Sequence, residues 1–163
     1  MSRHYGVTRF SILFLAMIIL FGCKGEKRPE GFPKLYPCSI RVTQDNEPLA
    51  NANLILYADT DEYDRWSVGG TTNEQGVATI VTNGKFTGAP QGSFTVVITK
   101  ESQEKRDVAP SGSPEPEFVF GKACRLVAKD YGAKETSPAR VTVKGRTTAQ
   151  IDVGPAVHEV IDE

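Results

Sequence analysis

Four carboxylates lie within one stretch of six residues, at Asp59, Asp61, Glu62 and Asp64. Hard oxygen ligands at alternating positions suit calcium, so Asp59, Asp61 and Asp64 are the candidate ligands of a metal site. The glycine and the distal bidentate glutamate of an EF-hand loop are missing here. These omissions favour the alternative, a solvated acidic loop that discourages edge-to-edge pairing between strands of different molecules.

Three aromatic residues, Tyr57, Tyr63 and Trp66, flank the same acidic loop. Exposed aromatic side chains can stack on a sugar ring, so these three are the candidate site of a carbohydrate- or peptidoglycan-binding module. The alternative is a structural role, because a lone tryptophan in a β-domain commonly lies in the core. The exposure of Trp66 separates the two hypotheses: a buried ring indicates a structural residue, and an exposed platform favours sugar binding.

Histidine is scarce, with His4 near the N-terminus and His158 in a polar C-terminal segment, residues 154–163. A serine or cysteine nucleophile would have to recruit His158 as its base, and a histidine-rich zinc site has too few ligands. The clustered carboxylates also differ from a glycosidase pair, whose members come from separate elements flanking a cleft. The sequence therefore predicts a protein that is not an enzyme and has no cofactor.

The N-terminus begins with a positive region that contains Arg3 and Arg9, followed by an apolar run over residues 10–21. This run is too short for a transmembrane anchor, which needs about 20 residues, and its length fits the apolar region of a signal peptide. Residues 20–23 (LFGC) close it and resemble the lipobox of bacterial lipoprotein precursors. Phe21 departs from the pattern, which usually has a small or β-branched residue there. Ordinary secretion is the alternative, but no small-x-small cleavage site follows Cys23 closely.

The lipobox resemblance implies that residues 1–22 are removed and that the thiol of Cys23 carries a diacylglycerol. Residues 23–34 are charged, rich in Pro and Gly and without apolar period, so they are expected to form a flexible tether. Lys24 stands where some bacteria have the aspartate that retains lipoproteins at the inner membrane. The resemblance thus implies a lipid-anchored protein of the cell envelope, at the outer membrane or cell surface.

The remaining composition agrees with a membrane attachment through acyl chains. The chain has 19 basic and 20 acidic residues and a formal net charge of -1. The basic stripe of a nucleic-acid-binding protein is missing, so no nucleic-acid partner is expected. If Cys23 is lipidated, Cys38 and Cys124 are left in an oxidising compartment, either as a disulfide or as two separate buried thiols.

The body of the chain has the alternating pattern of β-strands separated by turn residues. Residues 39–43 alternate apolar and polar, residues 52–58 and 77–82 supply further strands, and residues 93–99 are the clearest. In the last of these, Phe94, Val96 and Ile98 are expected to share one face. About seven short strands spaced by turns favour an all-β sandwich over residues 35–153.

Other segments lack this pattern. Residues 100–117 are polar and without period, which predicts a mobile loop. Residues 122–131 are compatible with a short helix or an irregular packed segment. Residues 139–144 and 147–153, joined at Gly145 and Arg146, predict a closing β-hairpin.

Three motifs in order resemble the carboxypeptidase regulatory-like domain. Residues 45–56 (DNEPLANANLIL) match its opening turn and strand, residues 70–78 (GTTNEQGVA) its central turn, and residues 88–96 (GAPQGSFTV) the start of its last core strand. Asn46 and Asn51 stand where that family usually has glycine, and Ala78 replaces an aromatic residue. Tyr131 and the segments that follow it are similar to the tail of small planctomycete-type lipoproteins with this domain.

The resemblance implies a transthyretin-like, seven-stranded β-sandwich without catalytic residues of its own. Domains of this family serve as accessory, scaffolding or binding modules. The expected function is therefore a non-enzymatic envelope lipoprotein that supports an assembly or binds a protein or glycan partner. A carbohydrate- or peptidoglycan-binding module is the alternative, and fold alone does not identify a ligand.

Overall fold

The described part of the chain is all-β. The computed structural model describes residues 27–108 and 117–161, which contain fifteen strands and two short 3₁₀ helices, Asp61–Tyr63 and Lys129–Gly132. The expected signal peptide and Cys23 lie outside these residues. One compact unit begins at Pro33. Among the described helices, none has the length and apolarity needed to cross a membrane.

The strands are mostly short, with the longest in the second half of the chain. They are β1 (Leu35–Tyr36), β2 (Cys38–Gln44), β3 (Glu47–Pro48), β4 (Asn53–Ala58), β5 (Val68–Thr71), β6 (Val77–Thr79), β7 (Val81–Thr82), β8 (Phe86–Thr87), β9 (Ala89–Pro90), β10 (Gly92–Thr99), β11 (Glu101–Val108), β12 (Glu117–Arg125), β13 (Arg140–Val143), β14 (Thr147–Asp152) and β15 (Glu159–Val160).

Two sheets supply most of the buried side chains. The larger has six strands in the order β13-β10-β4-β5-β7-β8, and all its neighbours are antiparallel. The smaller has the order β14-β2-β3, with β6 also paired to β2, and its β14–β2 pair is parallel. A three-stranded sheet, β11-β12-β15, and the pair β1-β9 complete the described part.

A single cluster of buried apolar side chains joins the two main sheets. Phe94, Val96 and Ile98 of β10 are fully buried, as the alternation in the sequence predicts. Ile40 and Val42 of β2 belong to the same cluster. Removing these side chains from water is the main favourable contribution to folding, because apolar burial stabilises by about 25 cal/mol per Å².

Asparagine and aspartate residues form tight turns between several of the strands. Asp45 and Asn46 connect β2 to β3 with φ values of 52° and 65°. Positive φ at both central residues defines the two-residue hairpin turn whose twist matches that of the strands. At the turn before β6, the Asn73 side-chain Oδ1 accepts hydrogen bonds from the backbone N–H groups of Gln75 and Val77, at 3.0 and 2.9 Å.

The prediction of a mobile loop over residues 100–117 is wrong for its first half. Residues 101–108 form β11, which pairs with β12 in an antiparallel ladder. The backbone hydrogen bonds to a partner strand make this segment extended although its polar sequence has no period. The segment 122–131 also differs from a helix: β12 extends to Arg125, and helical structure is limited to the 3₁₀ turn at Lys129–Gly132.

The predicted closing hairpin of residues 139–153 is also wrong. Strand β13 pairs with β10 in the six-stranded sheet, whereas β14 pairs in parallel with β2 in the other sheet. The chain therefore crosses between sheets at residues 144–146. This arrangement brings Val143 and Val153 into the shared core, where both are buried. The polar C-terminal segment is also part of a sheet, because its residues Glu159–Val160 form β15, which pairs with β12.

Gly76 and Gly84 provide a matched pair of substitutions. Both have positive φ, at 70° and 66°, but a Cβ on Gly76 would lie 2.6 Å from the Val42 carbonyl oxygen, whereas a Cβ on Gly84 meets nothing within 4 Å. We expect Gly84→Ala to cost about 1–2 kcal/mol from the backbone conformation alone. Gly76→Ala should cost about 2–5 kcal/mol, because the clash adds to the same strain.

Urea unfolding followed by circular dichroism measures both losses. Equal losses for the two variants would show that the close approach at Gly76 does not matter.

Candidate functional site

The loop between β4 and β5, residues 59–67, is attached to the sheet at both ends. At its start, the Asp59 backbone N–H donates to the Ser93 carbonyl at 3.0 Å, and the Thr95 hydroxyl donates to the Asp59 carboxylate at 3.3 Å. At its end, Ser67 and Asn83 exchange two hydrogen bonds of 3.2 and 2.7 Å. The loop is thus fixed to strand β10 and to the turn between β7 and β8, which both belong to the six-stranded sheet.

Two turns within the loop bring its aromatic residues close together. The 3₁₀ helix Asp61–Tyr63 is followed by a hydrogen bond from the Trp66 backbone N–H to the Tyr63 carbonyl at 2.8 Å. This bond folds the chain back, so that residues 63 and 66 face the same cavity. Tyr57 reaches that cavity from β4.

The cavity has a volume of about 350 Å³ and lies where the loop passes the end of the sheet. Its buried lining is apolar, and its more exposed lining is aromatic and polar apart from Ile55. The buried residues are Leu56, Ala58, Val68 and Phe94, and the others are Ile55, Tyr57, Tyr63, Asp64, Arg65, Trp66 and Ser67. The three aromatic residues that the sequence singles out therefore line one site.

Trp66 is half-buried, so it is neither a core residue nor a fully exposed platform. The Arg65 guanidinium lies 4.7 Å from the centroid of the Trp66 ring. Tyr57 is 38% exposed, and the Lys134 ammonium lies 5.6 Å from the centroid of its ring. Cation–π contacts at exposed positions contribute about 0.5–1 kcal/mol each, which is enough to orient a ring but small enough for a ligand to displace.

The hydroxyl of Tyr63 stays protonated at neutral pH. Burial raises its pKa above the usual value, and a hydrogen bond with the Glu62 carboxylate and the charge of that carboxylate raise it further. A protonated phenol has one O–H donor, which here is used by the Glu62 carboxylate, and its oxygen can also accept a hydrogen bond. At this position the phenol is a hydrogen-bonding group and not a base.

The carboxylates Asp59, Asp61 and Asp64 are not gathered into a ligand cluster. Among the side chains that the structure describes, no group of three or more His, Cys, Asp or Glu is arranged to hold a metal ion. Asp59 instead accepts the Thr95 hydrogen bond, while Asp64 lies at the aromatic cavity. The three residues thus belong to different local environments.

The alternative of a Cys38–Cys124 disulfide is corrected by the structure, in which both thiols are free and buried. Cys38 lies on β2 and Cys124 lies on β12. Burial raises the pKa of the Cys38 thiol to about 11. A thiol that stays protonated near pH 7 is a poor nucleophile.

The buried thiols predict a simple labelling result. With Cys23 acylated, the folded protein should react slowly with a thiol reagent at pH 7.5, because both thiols are shielded and the Cys38 thiolate is scarce. Denaturation without reductant should release two reactive thiols per chain. A count of zero after denaturation would indicate that the two cysteines are bonded.

His158 is exposed and lies just before β15. The neighbouring Val157 N–H donates to the Leu126 carbonyl at 3.4 Å, so this segment runs beside the end of β12. Neither His158 nor Cys38 lines the aromatic cavity.

Arg65, Phe94 and Val68 are parts of the site that the sequence interpretation did not include. Arg65 precedes Trp66 directly, and this adjacency is the one local signal for it. Phe94 is recognisable from the sequence only as a core residue, because its place under the loop follows from the pairing of β10 with β4.

Comparisons with known proteins add no relative: no protein-family model, curated protein or solved structure matches the chain.

Proposed function

We propose that this chain is a non-catalytic binding module held at the cell envelope by a lipid on Cys23. The observation that carries the binding role is the cavity of about 350 Å³ at which Tyr57, Tyr63 and Trp66 meet. Binding residues placed on a loop that a rigid sheet positions are a common arrangement for recognition. The loop described above has this design, since hydrogen bonds fix it at both ends.

The chemistry of the cavity supports binding without catalysis. A binding pocket typically combines a mostly apolar lining with a few polar groups that fix the orientation of the ligand. Here the apolar part comes from Leu56, Val68 and Phe94. The Tyr63 phenol has a raised pKa, so it is already protonated near pH 7 and cannot accept a proton as a general base does.

We further propose that the core is a transthyretin-like β-sandwich of seven strands. The candidate strands are β13, β10, β4 and β5 in one sheet and β14, β2 and β6 in the other. Support comes from the shared apolar cluster and from Asn46 and Asn51, which have φ values of 65° and 55°. These are the two positions where the carboxypeptidase regulatory-like pattern usually has glycine, the residue that adopts positive φ most easily.

The proposed location is the outer membrane or the cell surface. It rests on residues 20–24 of the sequence, where the lipobox-like motif is followed by Lys24 rather than aspartate. Stable anchoring takes two or more acyl chains, which the acylated thiol and amine of an N-terminal cysteine would supply.

Retention of envelope material by the purified chain tests the binding role. The full chain, solubilised in detergent and immobilised, should retain a component of solubilised envelope that a Tyr57→Ala, Trp66→Ala double variant does not. Val160→Ala is the control, because Val160 is an exposed apolar residue on β15, outside the cavity lining. If the double variant retains the same material as the unchanged chain, the cavity is not the binding site.

A further inference from the structure

We propose that the aromatic cavity binds a neutral saccharide of one or two pyranose rings, an inference that rests on the proposed binding function. The first argument is size. A volume of about 350 Å³ is at the lower end of the range of about 300–1,000 Å³ for small-molecule sites. It suits a short, compact ligand better than an extended polymer segment.

The second argument is the balance of flat apolar surface and polar groups in the lining. Sugar rings have apolar C–H faces and a polar periphery of hydroxyls. Tyr57 and Trp66 provide ring surfaces for the C–H faces, and both are partly exposed. A saccharide on Tyr57 displaces the Lys134 ammonium from that ring or uses the opposite face.

The third argument is charge. Asp64 and Arg65, adjacent in the chain, both line the cavity and bring one negative and one positive group. A carboxylate accepts hydrogen bonds and a guanidinium donates them, while a sugar hydroxyl does both. The Tyr63 hydroxyl donates its one O–H hydrogen bond to the Glu62 carboxylate, so its oxygen is left to accept a hydrogen bond from a sugar hydroxyl. A strongly anionic or cationic ligand would leave one member of the Asp64 and Arg65 pair facing a like charge.

The arrangement of Arg65 over Trp66 adds preorganisation. The guanidinium lies 4.7 Å from the ring centroid, so each side chain limits the rotation of the other. Fixing both groups before binding lowers the ordering cost that a ligand would otherwise meet. Because the guanidinium covers one face of the Trp66 ring, a saccharide would stack on the opposite face.

Trp66 is the single tryptophan of the chain, so its fluorescence reports directly on this cavity. The full chain is prepared in a polyoxyethylene detergent, because sugar-based detergents would compete. It is then titrated with cellobiose, maltose and di-N-acetylchitobiose. We expect at least one of these disaccharides to change the emission in a saturable way, and an acidic disaccharide, digalacturonate, to bind more weakly.

Matched variants locate the binding. Tyr57→Ala should weaken the affinity by about two- to tenfold, the range for an aromatic contact, whereas Tyr57→Phe should keep it within about twofold. Arg65→Gln should weaken binding, with Arg41→Gln on the exposed side of β2 as its matched control. Because Tyr57 is exposed on β4, its replacement leaves the core intact, and circular dichroism verifies this.

The saccharide proposal is overturned if none of the three neutral disaccharides gives a saturable change, or if Tyr57→Ala binds as tightly as the unchanged chain. Envelope retention separates this failure from that of the proposed function. Retention that depends on Tyr57 and Trp66, without saccharide binding, means that the cavity takes another ligand, such as a peptide. If the chain neither retains envelope material nor binds a saccharide, the proposed binding function is refuted as well.

Discussion

Replacing Cys23 with alanine should move nearly all of the protein out of the membrane fraction as a cleaved soluble chain, or leave it as an uncleaved precursor. The reason is that, in the proposed lipid anchor, the acyl chains would supply nearly all the membrane affinity. Each buried methylene contributes about 0.8 kcal/mol, so two chains or more hold a protein stably, while one alone holds it only marginally.

The measurement is fractionation of cells that express each form, with the precursor and the mature chain separated by gel mobility. Cys124→Ser is the matched control, because it removes a cysteine of β12 that is not part of the lipobox-like motif in the sequence. This control should stay in the membrane fraction. A mature-sized Cys23→Ala protein that resists extraction from membranes by alkaline carbonate would refute the lipid anchor.

Replacing Phe94 with alanine should lower the free energy of unfolding by about 3–5 kcal/mol, the usual cost of removing a buried phenylalanine. Phe94 is fully buried on β10, between its partner strands β13 and β4. The loss combines the apolar surface that is no longer buried with the cavity that the missing ring leaves. A domain with an ordinary stability of about 5–15 kcal/mol would lose a large part of it.

Ile55→Ala is the control, because Ile55 lies on neighbouring β4 but is 38% exposed. It should cost less than about 1 kcal/mol, as expected for an exposed position. Urea unfolding by circular dichroism gives both values. Similar losses for the two variants would contradict a core that is centred on the inward face of β10.

The alternation of side chains along single strands could be predicted from the sequence, but the pairing of strands could not. Phe94, Val96 and Ile98 share a buried face because a strand has a period of two residues, and that period is visible in the sequence. The partner of a strand depends on contacts that are distant along the chain. For this reason β13 and β14 looked like a hairpin, although each pairs with a different sheet.

Polar strands, like the pairing of strands, could not be predicted from the sequence. Strand β11 has no apolar period, and it is extended because β12 supplies its hydrogen-bonding partners. Side-chain pattern predicts which face of a strand is buried, so it contains no signal for a strand that is defined by its backbone pairing alone.

The candidate site is predictable where its residues are close in sequence. Tyr57, Tyr63 and Trp66 lie within ten residues and line one cavity. The contribution of Phe94 requires the antiparallel pairing of β10 with β4, which brings it opposite Ala58. The free state of Cys38 and Cys124 is likewise hidden in the sequence, because an even number of cysteines is compatible with a disulfide and with two free thiols.

Fluorine NMR of the chain labelled with 5-fluorotryptophan tests the central claim most directly, because the label falls only on Trp66. Solubilised envelope extract is unlabelled and contributes no signal. The account predicts one resonance that shifts or broadens on addition of the extract, with little change in a labelled Tyr57→Ala variant. Envelope material that copurifies with the chain while the Trp66 resonance stays unchanged would contradict binding at the aromatic cavity.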